Sequence, residues 1–249
     1  MSLTGEPEGE PMKVGVGIAD MMCGMYAVSA ILAALHHRHA SGQGQYIDLA
    51  LLDTQVAWLA YEGLNYLTSG KVPKRQGNEH PNIVPYNLMP CADGYFILAV
   101  GNDGQFRKFC DFADVPELAE DPRFATNSQR SINREALYAL LPEITRKRPR
   151  ADWLDGLSAI GVPAGPVNSL DQVFSDPQVL CRGMKQSVPY PDAAGGKVEL
   201  IGNPIKFSET PVDYRLPPPR MGQNTEEVLG ELLGLEAQEI ADLRDKGVV

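Results

Sequence analysis

Residues Gly15–Leu35, GVGIADMMCGMYAVSAILAAL, hold a single charged side chain, Asp20, and then run apolar from Met21 to Leu35. The apolar side chains fall nearly all round a helix rather than along one stripe. That pattern predicts a helix from Asp20 to about His39, packed on several sides. The run is shorter than the ~20 apolar residues that a bilayer crossing takes, and it ends in His36-His37-Arg38-His39. It therefore predicts a buried helix of a soluble protein, with no membrane partner. A chain of 249 residues is long enough to enclose it, in one or two domains.

Charge and cysteine usage narrow the function classes. The net charge is −10, which argues against nucleic acid or an anionic membrane surface, because both demand clustered Lys and Arg. A small anionic ligand remains compatible, since local charge differs from net charge. Cys23, Cys91, Cys110 and Cys181 are widely spaced, with no CxxC pair, which fits a reducing compartment. The opening MSLTGEPEGEPMK lacks the basic-then-apolar order of a signal peptide. A cytoplasmic protein is expected. His36 and His39 stand i, i+3, but no carboxylate or cysteine sits beside them at ligand spacing. Cationic residues at a helix C-terminus are favourable without any metal, so no metal site is expected.

Along the chain, residues 1–13 read as loop, and Lys13–Ala19 as a short strand or a glycine-rich turn. SGQGQ (Ser41–Gln45) stops the first helix. Tyr46–Asp53 begins with strand-like residues, and a second apolar helix is expected over Leu51–Leu67, with Trp58 and Trp153 both in the core. Thr68–Pro85 is a long connection without periodicity; such loops in compact domains are usually functional or linkers. From Tyr86, YNLMPCADGYFILAVGN predicts a hairpin about Asp93-Gly94. Helices are expected over Gly104–Ala113, from Ser131 to Lys147, and over Pro149–Gly161 with Gly161 as the stop. One or two short helices follow, then a strand from Lys197, an extended Pro-rich stretch at Tyr214–Gln223, and two short helices to the end. The mixture points to an α/β or α+β chain with a small middle domain near residues 86–185.

Three readings of Asp20 follow from residue types. It caps the helix N-terminus, a role worth ~1 kcal/mol, although Cys23 stands where a capping box would carry Glu or Gln. Alternatively GVGIAD is a dinucleotide fingerprint; but Asp20 replaces the last glycine, and a carboxylate there would repel a pyrophosphate. In the third reading Asp20 is a nucleophile, kept ionised by backbone N–H groups in apolar surroundings and able to hold an acyl group covalently. Gly15 and Gly17 would let a bulky ligand approach the backbone.

Several long motifs bear on this choice: MSLTGEPEGEP, VGVGIADMMCGMYAVSAILAALHHRHASGQGQYIDLALLD, GNEHPNIVPY, DGYFILAVGNDGQF, GVPAGPVNSLDQVFSDPQVL and PPPRMGQNTEEVL. In this order, from the first residue to DKGVV at the end, the chain resembles the class III CoA-transferase family, the CaiB/BaiF group. That family includes formyl-CoA transferase, carnitine CoA-transferase and the succinyl-CoA:glutarate type. The resemblance makes Asp20 the covalent nucleophile of an acyl-CoA:carboxylate CoA-transferase. It implies coenzyme A as acyl-CoA co-substrate, a small (di)carboxylic acid as acceptor, and no metal. It places Gly77, Asn78 and His80 on a lid over the site, with Gly77 as hinge and Asn78 and His80 as donors to a carboxylate. IVPY (Ile83–Tyr86) resembles members acting on small dicarboxylates more than the formyl type. Arg38, Lys71, Lys74 and Arg75 read either as contacts to an anion or as solvated surface.

The resemblance also implies the α/β fold of family III, here lacking most of the N-terminal Rossmann-like half of the large domain and with it most CoA contacts. The expected divisions are 1–70 as the helical part with the nucleophile, 71–85 as linker and lid, 86–185 as the small α+β domain, and 186–249 as the return to the large domain. A homodimer, or a partner supplying the absent N-terminal part, is expected. Two alternatives stand: an acyl-CoA racemase of the same family, with Asp20 as an acid/base group, and a truncated, catalytically silent structural partner.

Overall fold

The computed structural model describes residues 1–249, whose contacts group into Met1–Val167 and Asn168–Val249. In the first unit, α1 (Ile18–Ser41) is followed by α2 (Leu51–Ala57) and α3 (Ala60–Ser69). The absence of Pro and the run of Ala, Leu and Met carry α1 through 24 residues, until Gly42 closes it in the left-handed conformation, its N–H donating to the Arg38 carbonyl at 2.8 Å. Segment 13–17 forms no strand, and the strand-like Tyr46–Ala50 forms none either.

Three expectations fail here. The single helix over 51–67 is broken, because Ala60 takes a positive φ of 45° and separates α2 from α3. The packing on all sides of α1 is not supplied by this chain: Met22 is its one buried side chain, and Met25, Val28, Ile31 and Leu32 are exposed. Trp58 lies about half exposed rather than in the core. Moreover α1, extended by Ile18–Asp20 and the His-rich turn, is long and apolar enough to cross a membrane by length and composition; the shorter run Met21–Leu35 is not.

The core of this unit lies between Val84 and Ala164. Strands β1 (Tyr86–Cys91) and β2 (Gly94–Ala99) pair antiparallel, with Cys91 opposite Gly94 across Ala92-Asp93, and β3 (Ala164–Pro166) adds to the far edge of β2. Helices α4 (Asp103–Phe112), α5 (Glu117–Glu120), α6 (Asn127–Ile132), α7 (Arg134–Thr145) and α8 (Arg150–Ala159) complete it. Asn102 caps α4 by accepting from the Gln105 N–H at 2.9 Å, worth ~1 kcal/mol. Ser131 falls inside α6 rather than starting the following helix, and α7 begins after Asn133. Trp153 is buried; it stacks on Phe96 and Phe109, meets Phe112 edge-on, and donates its indole N–H to the Thr145 carbonyl at 2.8 Å. Burying an aromatic cluster of this kind supplies both area and orientation.

In the second unit, α9 (Leu170–Ser175) and α10 (Pro177–Cys181) meet at Asp176, whose carboxylate accepts from the N–H groups of Gln178 and Val179. Strand β4 (Lys185–Pro189) pairs antiparallel with β5 (Lys197–Ile201). Residues 202–220 carry no helix or strand, and α11 (Thr225–Glu227), prolonged by a π-turn, and α12 (Ala237–Asp245) close the chain. The chain is thus a mixture of helices and strands in which every strand pair is antiparallel.

Candidate active site

The approach to α1 is built by its glycines. Gly17 has φ −73° and ψ 67°, and Ile18 N–H donates back to the Val16 carbonyl at 2.9 Å. This is an inverse γ-turn that delivers the chain into the helix. The turn makes Gly17 the N-cap residue and leaves no side-chain cap. Asp20 is therefore not the N-cap; it is the third helical residue. There its carboxylate is exposed and meets the positive end of the helix dipole, a contribution of ~0.3–1 kcal/mol. A Cβ on Gly17 would lie 3.2 Å from Asp20 Oδ2. A side chain at 17 would push the exposed Asp20 carboxylate aside by a few tenths of an ångström, and there is no backbone strain at this position. Gly15 has nothing within 4 Å of its Cβ direction, so open space adjoins the same turn.

Gly77, Asn78 and His80 share one loop, and the structure fastens that loop to the core. Arg134 on α7 donates to Gln76 Oε1 at 3.0 Å, to the Pro81 carbonyl at 2.6 Å and, more distantly, to Glu79 Oε2 at 3.5 Å. On the preceding helix, α6, Arg130 is fully buried and stacks on Phe106. It donates to the carbonyls of Val84 and Phe124 and to Asp103 Oδ1. Asn127 accepts from Val84 N–H and donates to the Asn82 carbonyl, while Tyr138 Oη accepts from Tyr86 N–H at 3.2 Å. At the loop's other end, Arg75 donates to the Glu6 carbonyl at 3.1 Å and to that of Gly9, and Gly77 N–H donates to the Gly5 carbonyl. Arg75 is thus committed to the backbone rather than to an anion. Gly77 has φ 59°, and a Cβ there would meet the Glu6 carboxylate at 3.4 Å, so this position calls for glycine.

His80 is held from three sides. Its N–H donates to the Tyr86 carbonyl at 3.0 Å, its Nδ1 accepts from the N–H groups of Asn82 and Ile83, each at 3.1 Å, and its ring lies between Tyr61 and Tyr86 with centroids 5.0 and 5.3 Å away. Burial lowers the His80 pKa below its ordinary value, and Arg134 pushes the same way while Glu62 opposes them. Burial raises the Glu79 carboxyl, with Arg134 pulling against it and Glu135 adding to it. Beside the loop lies a cleft of about 450 Å³, bounded by Trp58, Tyr61, Glu62, Lys74, Gly77 and Glu79.

The predicted site residues thus fall in two groups. Gly77, Asn78 and His80 share the anchored loop, and of these only Gly77 lines the cleft; Asp20 stands at the start of α1 and does not line it either. Trp58 is the nearest thing to a link, since it lines both the cleft and a smaller crevice with Met22 and Met25 on α1. Arg130, Arg134, Asn127 and Tyr138 escaped the sequence reading. Of the basic residues near the motifs, Lys74 borders the cleft and Arg38 lies exposed on the last turn of α1 with His36, His37 and His39.

Comparison with known proteins identifies the family. The family model described as CoA-transferase family III matches residues 1–225. A succinate–glutarate CoA-transferase of Agrobacterium fabrum is 47% identical over 236 residues, covering 95% of this chain and 58% of the relative. The human succinyl-CoA:glutarate CoA-transferase is 36% identical over 249 residues, covering 100% of this chain and 56% of the relative. A crystal structure of a CaiB/BaiF family protein from Brucella suis superimposes with a TM-score of 0.74 at 48% identity, over 93% of this chain and 60% of that one. The chain spans a little over half the length of the curated relatives it matches.

Proposed function

The chain belongs to CoA-transferase family III, and on that premise we propose that it serves an acyl-CoA:carboxylate CoA-transferase acting on small dicarboxylic acids, with Asp20 as the covalent nucleophile. The observation that carries this reading is the seat of Asp20: an exposed carboxylate at the positive end of α1, folded over Gly17 beside the open Gly15 turn. Its relatives' names supply the substrate class, succinate and glutarate with their CoA thioesters.

The chemistry is a chain of acyl transfers. An Asp20 oxygen attacks the thioester carbon of the donor acyl-CoA; the C–S bond breaks and CoA thiolate leaves a mixed anhydride. The thiolate attacks the Asp20 carbonyl, releases the donor acid and forms an aspartyl-CoA thioester. The acceptor carboxylate attacks that thioester, forming a second anhydride and freeing the thiolate. The thiolate then takes the acceptor's acyl group and restores Asp20. Each step exchanges one activated acyl bond for another, so the protein's task is to position the groups and keep water from the anhydride. Gly77, Asn78 and His80 contact the carboxylic acid in this reading, and the exposed apolar side chains of α1, α2 and α3 are covered by protein, from a second copy or a segment carrying the family's N-terminal part.

The test is intact mass of the purified chain after incubation with succinyl-CoA, with hydroxylamine added to a second aliquot and Asp20→Ala in parallel. An adduct that hydroxylamine intercepts, present in the native chain and missing from the variant, is the expected result. An adduct that survives Asp20→Ala would remove Asp20 from the mechanism.

A further inference from the structure

In the proposed function His80 is one of three loop residues contacting the acid. Its surroundings fix more than that. The Nδ1 atom accepts two backbone N–H groups at 3.1 Å each. A nitrogen that accepts has no proton, so the neutral ring carries its proton on Nε2. Nε2 makes no hydrogen bond within the chain, whereas the Arg134 donors nearby are taken by Gln76, Glu79 and Pro81. The ring stacks on Tyr86 and meets Tyr61 at a tilt of 36°, and a flip of it would present carbon to the two amides.

Resting on the transferase reading, we propose that His80 is a fixed, uncharged hydrogen-bond donor: Nε2–H binds a carboxylate oxygen of the dicarboxylic acid, and the ring takes no part in proton transfer. A general base needs a free lone pair toward the substrate; here the lone pair is turned inward and held. A neutral donor recognises the acid without a salt bridge, so substrate and product acids are released readily. Protonating the ring would break both amide contacts and open the turn at Asn82 and Ile83.

That cost fixes the sign of the pH dependence. The groups facing the ring are Glu62 from α3, Arg134 from α7, and the phenols of Tyr61 and Tyr86. With the folded value lowered, the unfolded chain binds more protons. The contribution of the neutral ring is complete above the ordinary histidine value of about 6.5 and is lost as pH falls from there through the lowered one.

Long-range ¹H–¹⁵N correlation spectra of the labelled full chain test the proposal. The chain has 4 histidines, and the exposed trio of α1 serves as an internal reference. Expected is an unprotonated Nδ1 and a protonated Nε2 for His80, and a shift of the Nε2 proton on adding glutarate. His80→Gln, which keeps an N–H near the Nε2 position but gives up the inner acceptor, retains more glutarate affinity than His80→Asn. His80→Asn keeps only the inner acceptor and loses roughly tenfold or more, the weight of a hydrogen bond to a charged group. A proton on Nδ1, or an Nε2 proton that saturating glutarate leaves unmoved, overturns the proposal. These readings need no turnover, so a negative Asp20 mass experiment would sink the transferase chemistry while leaving them to stand or fall separately.

Discussion

Replacing Arg134 by Ala releases the site loop without touching a residue on it. Arg134 gives two good hydrogen bonds to the loop, to Gln76 Oε1 at 3.0 Å and the Pro81 carbonyl at 2.6 Å, and a long one to Glu79. Hydrogen bonds from charged donors contribute ~1.5–3 kcal/mol each when buried. Arg134 keeps 23% of its side chain exposed, so water replaces part of each and about 1 kcal/mol apiece is the fair figure, with little from the Glu79 pair. A loss of ~2 kcal/mol raises the open population ~30-fold. The assay is amide hydrogen exchange at His80, Asn82 and Ile83, whose N–H groups bond to Tyr86 O and His80 Nδ1. All three should exchange ~30-fold faster in Arg134→Ala, with the α8 amides unchanged. The Glu79 carboxyl, already raised, should rise further, because Arg134 is what pulls it down. Less than threefold acceleration at the three amides would show that Asn127, Arg130 and Tyr138 hold the loop unaided.

Two further substitutions probe the core on which the loop rests. Gly156→Ala gains ~1 kcal/mol of helix propensity but drives a Cβ to within 2.0 Å of Phe112 Cζ, a ring held by Trp153 and Arg148. Overpacking costs ~1–3 kcal/mol, a net loss of ~0–2 kcal/mol after the propensity gain, so thermal unfolding should shift down by up to several degrees and Phe112→Leu should restore it; a raised Tm refutes the packing argument. Arg130→Met keeps the stem but leaves the Val84 and Phe124 carbonyls without donors, at ~3 kcal/mol in total. The urea midpoint should fall with an unchanged slope, and an unmoved midpoint would mean that water replaces the guanidinium.

What could be read from the sequence was local. The hairpin at 86–99 follows from alternation and a two-residue turn, the end of α1 from Gly42, and the end of α8 from Gly161 at φ 71°. The break between α2 and α3 was invisible, because it occurs at Ala60, a residue with no turn signature. A cap was one of three readings open for Asp20, because Asp prefers caps; a γ-turn at Gly17 takes that role and the helix starts at Ile18. Trp58 and Trp153 occur in similar apolar contexts, yet one is half exposed and the other buried. What decides between them is whether partners such as Phe96 and Phe109 arrive from elsewhere. The fastening of the loop was hidden for the same reason. Arg134 reaches Pro81 across 53 residues, and side-chain bonds to distant carbonyls leave no periodicity to read.

The way that loop is tied has a consequence for Asn78. Its anchors are Gln76, Pro81, Asn82 and Val84, and most of their bonds run through backbone atoms. Asn78 is exposed and contributes nothing to the fastening. A substitution at position 78 therefore leaves undisturbed the ground on which His80 stands.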